Sequence, residues 1–107
     1  MIKVKIRKDG DRYLGFTCEG HAGYAEYGND IVCSAVSMLV INTVNSIDAF
    51  TECSLQVTEN EKSGKIQTVF PDGTDEKAGL LMDALVLGLQ SIEEQYGRSH
   101  IRLEQVI

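Results

Sequence analysis

The chain predicts an α+β domain of order ββαββαβ, a mixed or antiparallel sheet covered by two helices. Three observations carry that expectation: period-two alternation at the N-terminus, two long apolar segments with helical signals, and short strand-like runs between and after them. Ile2, Val4 and Ile6 alternate with Lys3, Lys5 and Arg7, as a half-buried strand requires. Asp9-Gly10-Asp11 is a turn. Residues 13–19 alternate again with Leu14, Phe16 and Cys18 on one face, so the first two strands are expected to form a hairpin.

Residues 20–29 contain Gly20, Gly23 and Gly28 with two tyrosines and no regular period, which reads as an adaptable loop. Asp30 stands where an N-cap belongs, and a helix over 31–49 follows. Cys53, Leu55 and Val57, then Ile66, Val69 and Phe70, mark two strands around the polar turn 60–64, and Pro71-Asp72-Gly73 stops the second. A second helix over 75–96 places Ala78, Leu81, Leu85, Leu89 and Ile92 in one apolar stripe, with Gly97 as its C-cap. Ile101, Leu103 and Gln105 continue into a last strand.

At 107 residues the chain is expected to be a single domain over 1–107, able to bury a core without metal or disulfide staples. Ten Lys and Arg against 16 Asp and Glu give a formal charge of −6. That balance disfavours nucleic acid as a direct partner and favours a basic protein or peptide. The N-terminus lacks a signal-peptide pattern, and the apolar stretch 31–50 is interrupted by Asn42, Asn45, Ser46 and Asp48. The expectation is a buried helix, no membrane span and a cytoplasmic location. Three cysteines, an odd number, suit a reducing compartment.

The chemistry concentrates at the junction of loop and helix. With Asp30 as N-cap, Cys33 sits at the third helical position, near backbone N–H groups without intrahelical partners. A helix end contributes about 0.3–1 kcal/mol to a thiolate, less than one pKa unit, whereas a close opposite charge moves a pKa by about 1–3 units. His21 is therefore the stronger candidate activator of Cys33 as nucleophile. Asp30 has two competing roles, cap of the helix or acceptor that orients the His21 ring. Ser37, one turn beyond Cys33, either bonds the sulfur or substrate, or bonds the carbonyl one turn back. The Cys33 and Ser34 amides are candidate oxyanion donors.

The other cysteines read as packing residues, since Cys18 and Cys53 share strand faces with apolar neighbours. Cys18, His21, Cys33 and Cys53 can be counted as four zinc ligands, but only Cys18 and His21 have knuckle-like spacing, so neither metal nor cofactor is expected. His100 reads as a surface or edge residue.

These residues resemble the bacterial ribosomal-processing cysteine proteases, formerly a family of unknown function. The resemblance covers the whole chain: the leading hairpin, Gly20-His21-Ala22, the eleven residues between His21 and Cys33, the run Asp30-Ile31-Val32-Cys33, and Val36-Ser37. It implies Cys33 as nucleophile and His21 as general base, with Asp30 and Ser37 in support. Alanine commonly follows the cysteine in that family, and Ser34 here keeps a small residue. The family removes a short N-terminal extension from the bacterial large-subunit ribosomal protein twenty-seven, so a precursor of that protein is the implied substrate. The resemblance also implies a homodimer and a loop mobile until substrate binds. Gly20, Gly23, Tyr24, Tyr27 and Gly28 are the substrate-loop candidates, the tyrosines either closing over a substrate side chain or standing as ordinary exposed aromatics. Two competing functions are a non-catalytic ribosome-associated binding module and a thiol-dependent esterase using the same dyad.

Overall fold

The computed structural model describes residues 1–26 and 30–106. A leading hairpin of β1 (Ile2–Asp9) and β2 (Arg12–Glu19) precedes α1 (Ile31–Phe50), and a second hairpin of β3 (Gln56–Asn60) and β4 (Lys65–Val69) precedes α2 (Glu76–Tyr96) and β5 (Ile101–Val106). The order is the expected ββαββαβ. The strands lie side by side as β3-β4-β2-β1-β5. β1 pairs with β5 in parallel and every other pair is antiparallel, so the sheet is mixed.

Alternation decides which side of the sheet meets the helices. Ile2, Val4 and Ile6 are buried while Lys3, Lys5 and Arg7 are exposed. The buried side joins Phe16, Cys18 and Ile101 with Val32, Val36, Val40 and Ile47 of α1 and Ala78, Met82, Leu85 and Leu89 of α2 in one apolar cluster. Both helices thus lie on one face, in two layers. Asp75 caps α2 by accepting the Ala78 N–H at 2.8 Å, and Gly97 ends it with a positive φ of 95°. The stripe of α2 runs as expected except that Met82 takes a fully buried place, with Leu81 and Ile92 packed at its margin.

Three expectations need correction. α1 is amphipathic and not buried all round: its stripe Val32, Val36, Val40, Thr43, Ile47 faces inward, while Ile31, Met38, Ile41 and Phe50 are exposed. By length and apolar composition α1 passes as a membrane-crossing helix, yet its inward stripe belongs to the core shared with α2 and the sheet.

Cys53 and Leu55 precede β3 and are only half-buried. The partner strand explains this, because Gln56 pairs with Val69, the last residue of β4, and Pro71 follows two residues on. Nothing is left upstream for Cys53 to pair with.

Strand β2 also departs from straight alternation. The β1–β2 register runs to Arg7↔Gly15 and resumes at Lys8↔Tyr13, which leaves Leu14 as the extra residue of a β-bulge. The bulge turns Tyr13 inward, to 3% exposure, and leaves Leu14 half-buried. Straight alternation had placed Leu14 on the inner face. Beside the bulge β4 passes very close, so that a methyl group on Gly15 would stand 2.5 Å from the Thr68 carbonyl oxygen. Gly15→Ala is therefore expected to lower stability by about 1–3 kcal/mol, the usual cost of overpacking. Urea denaturation checks this, and an unchanged midpoint would contradict the packing.

Candidate active site

The site is built where the loop after β2 returns to the start of α1. Gly20 ends the hairpin with φ +95°, and a Cβ there would lie 2.4 Å from the Met1 carbonyl oxygen, so both conformation and space demand glycine. The chain then crosses towards α1, and Gly23 takes φ +68°. Tyr27 and Gly28, two of the substrate-loop candidates, lie outside the described residues.

Asp30 gathers the returning loop and the helix around one carboxylate. Its Oδ1 accepts the N–H groups of Val32 and Cys33, each at 3.0 Å. Its Oδ2 accepts those of Tyr24 at 3.0 Å and Ala25 at 3.4 Å. Asp30 is 5% exposed. Burial alone would raise its pKa, but the four backbone N–H donors outweigh that and hold the carboxyl below the usual carboxylate range. Of its two expected roles, the geometry displays the cap, extended to tie down the loop as well.

Cys33 occupies the third helical position, as expected, and is half-buried. Its sulfur receives the backbone N–H of Ala22 at 3.1 Å. Burial pushes the thiol above its ordinary value, the Ala22 N–H opposes that rise, and the nearby Asp30 carboxylate adds to it. The helix start thus does not by itself deliver a standing thiolate. The Cys33 and Ser34 amides, considered as oxyanion donors, are engaged in the cap: Cys33 N–H donates to Asp30 Oδ1, and Ser34 N–H to the Asp30 carbonyl at 3.1 Å. Ser34 Oγ bonds that same carbonyl at 3.1 Å, the one-turn-back bond considered for Ser37. Ser37 is exposed.

Two depressions meet at this junction. One, of about 450 Å³, is lined by His21, Cys33, Val36 and Ser37 on one side and by Glu59, Glu61 and Lys65 of the second hairpin on the other. The second, of about 580 Å³, lies towards the loop and is lined by Gly23, Ala25 and Asp30 together with the same His21, Cys33 and Ser37. His21 is exposed, its imidazole against the β3–β4 turn, where a Cβ on Gly64 would stand 3.4 Å from Cε1 and 3.6 Å from Nε2. The structure therefore places His21, Cys33 and Ser37 on both depressions, and Gly20 on the first.

Tyr24 lines neither depression. Its ring meets Tyr96 edge-on at 5.4 Å and His100 at 5.3 Å. Of the other thiols, Cys18 is buried and pushed up to about 11, chiefly by desolvation, while Cys53 is half-buried with its sulfur 3.7 Å from the Gly73 carbonyl. Among the described residues no three His, Cys, Asp or Glu side chains gather as a metal site would need.

Sequence reasoning missed Ala22 and His100. Ala22 has no side-chain chemistry to announce its N–H, and the pattern around His100 predicts a surface or edge residue without pointing to the loop. In the structure His100 is half-buried and its Nδ1 lies 3.0 Å from the Ala22 carbonyl. Its place between the end of α2 and the start of β5 brings it there, 78 residues along the chain from the carbonyl, which no local pattern encodes.

Residues 1–102 match the family model described as cysteine protease Prp. The chain belongs to this family. It is 33% identical over 101 residues to the ribosomal processing cysteine protease Prp of Bacillus subtilis strain 168, spanning 90% of each chain. Two solved structures of the essential ribosomal processing protease Prp from Staphylococcus aureus superpose over 99% of this chain and 100% of theirs. The one with a covalently linked product peptide has a TM-score of 0.89 at 30% identity. The one with a substrate peptide has a TM-score of 0.86 at 29%.

Because the Asp30 pKa is lowered in the fold, its stabilising effect is fully present above the unfolded value of about 3.9 and is lost as the pH falls through the lower folded value. Asp30→Ala is expected to cost about 1–2 kcal/mol at pH 7, the range of a lost helix cap. The gap between wild type and variant narrows as the pH drops below about 4. Thermal melts across that range check the sign, and a gap that persisted at the lowest pH would contradict it.

Proposed function

We propose that this chain is a cytoplasmic cysteine endopeptidase that removes the short N-terminal extension from the precursor of large-subunit ribosomal protein twenty-seven and works as a homodimer. The observation that carries the reading is the meeting of two depressions at Cys33 and His21, which offers a peptide binding space on both sides of one thiol. Membership of the cysteine protease family supports it, as do the relatives' peptide complexes. A net charge of −6 suits a basic ribosomal substrate.

The chemistry follows acyl transfer. His21 takes the Cys33 thiol proton, and the sulfur attacks the scissile carbonyl carbon to form a tetrahedral intermediate. The C–N bond breaks as His21 returns the proton to the leaving amine, which leaves a thioester on Cys33. Water, deprotonated by His21, then attacks the thioester, and the released sulfur regains its proton. Burial raises the resting thiol above its ordinary value, which supports a role for His21 in removing its proton.

In the intact mass of the precursor, wild-type protein is expected to produce one truncation near the N-terminus. Cys33→Ala should abolish it, and His21→Ala should slow it about 10²–10⁴-fold, the usual share of general acid–base catalysis. An uncut precursor with all three proteins would favour a binding module. Turnover of small acyl esters without peptide cleavage would favour an esterase.

A further inference from the structure

We propose that His100 is a positioning residue for the Cys33 nucleophile, acting through the backbone of Ala22. The proposal rests on the reading of Cys33 as nucleophile. A carbonyl oxygen only accepts, so at 3.0 Å from the Ala22 oxygen the His100 Nδ1 carries the proton. The N–H of that same residue donates to Cys33 Sγ at 3.1 Å. His100 thus grips one side of the Ala22 Cα while the sulfur is met from the other.

The grip is needed because of what flanks it. Gly20 and Gly23, both at positive φ, bracket His21 and Ala22, and the peptide after Ala22 leads into the more permissive of residue types. Without an anchor on its carbonyl, the Ala22 Cα can shift and take with it the preceding His21–Ala22 peptide, whose N–H meets the sulfur. Ala22 itself is 1% exposed, so its aim is set inside the protein and not by solvent.

The anchor is rigid. His100 sits between the end of α2 and the start of β5, its own N–H donating to the Gly97 carbonyl at 3.1 Å and its carbonyl accepting the Ile2 N–H at 2.9 Å. Tyr24 packs edge-on against its ring at an interplanar angle of 76°, and Tyr96 backs Tyr24. The Tyr24 N–H in turn belongs to Asp30. The backbone of His100 is thus held by the sheet and the helix end, and its ring by the loop it positions.

The consequence falls on the sulfur. Around Cys33 stand Asp30, which disfavours the thiolate, the Met1 α-ammonium, which favours it, buried Cys18, and His21, Glu59, Glu61 and Lys65 along the same depression. The Ala22 N–H is the backbone donor that favours the thiolate there, and a charge-assisted hydrogen bond of this kind loses strength steeply with misalignment.

The test uses the full chain as wild type, His100→Ala and His100→Asn, the last retaining an amide N–H where Nδ1 stands. Iodoacetamide alkylation is followed against pH by peptide mass, so that Cys33 is scored apart from Cys18 and Cys53, and kcat and KM are measured on the precursor. His100→Ala is expected to raise the pH of half-maximal Cys33 alkylation by about one unit and lower kcat about tenfold, corresponding to one weakened charge-assisted bond. KM should move less than about twofold and the melting temperature should not account for the loss, while His100→Asn should recover most of both values. A wild-type alkylation profile in His100→Ala, a loss that tracks the unfolded fraction, or equal loss in His100→Asn would overturn the proposal. The alkylation profile is read whether or not the precursor is cut, so a failure of the protease reading remains distinguishable from a failure of this one.

Discussion

The carboxylate of Asp30 is the point on which this architecture turns. Two donors reach it from the first turn of α1 and two from the returning loop. A buried carboxylate without such partners would be costly, and with four it stays ionised and joins the returning loop to the first turn of the helix. The cap also determines what the helix start can offer to chemistry. By consuming the Cys33 N–H it removes a donor that a helix N-terminus would otherwise present to substrate, and its charge works against the thiolate. The loop compensates from outside the helix, through Ala22.

The sheet supplies the other fixed reference. Because β5 returns in parallel beside β1, the end of α2 and the start of β5 lie next to the N-terminal strand, as the Ile2 to His100 hydrogen bond records. Leu103 N–H donates to Glu93 at 2.7 Å, which pins β5 to α2 as well. Towards the opposite edge β4 carries the second hairpin to the far wall of the cleft, where the His21 ring lies against Gly64. Cys33 on a helix, His21 on a loop and a wall on a hairpin are thereby referred to one frame, which is what a precise site needs.

Much of this was legible in the sequence. Period-two alternation in β1, the Asp30 and Asp75 caps and the Gly97 stop each encode local physics, and they placed the elements and Cys33 correctly. The failures have non-local causes. Leu14 and Tyr13 exchanged faces because a bulge inserts one residue, and its companion signal, Gly15, matters only for its closeness to Thr68 across the sheet. Cys53 and Leu55 carry a strand-like pattern, yet the partner strand ends before reaching them. Ser37 and Ser34 are both spaced to bond one turn back, and only the structure shows that Ser34 does so. His100 lies 78 residues from the carbonyl it binds.

The most direct test of the account is to look for the thioester itself. Rapid acid quench of a reaction between the protein and its precursor substrate, followed by peptide mapping, is predicted to show the excised N-terminal segment attached to the peptide that carries Cys33, appearing before product accumulates. Steady cleavage with no adduct on Cys33 at any quench time, together with undiminished cleavage by Cys33→Ala, would contradict the assignment of Cys33 as nucleophile.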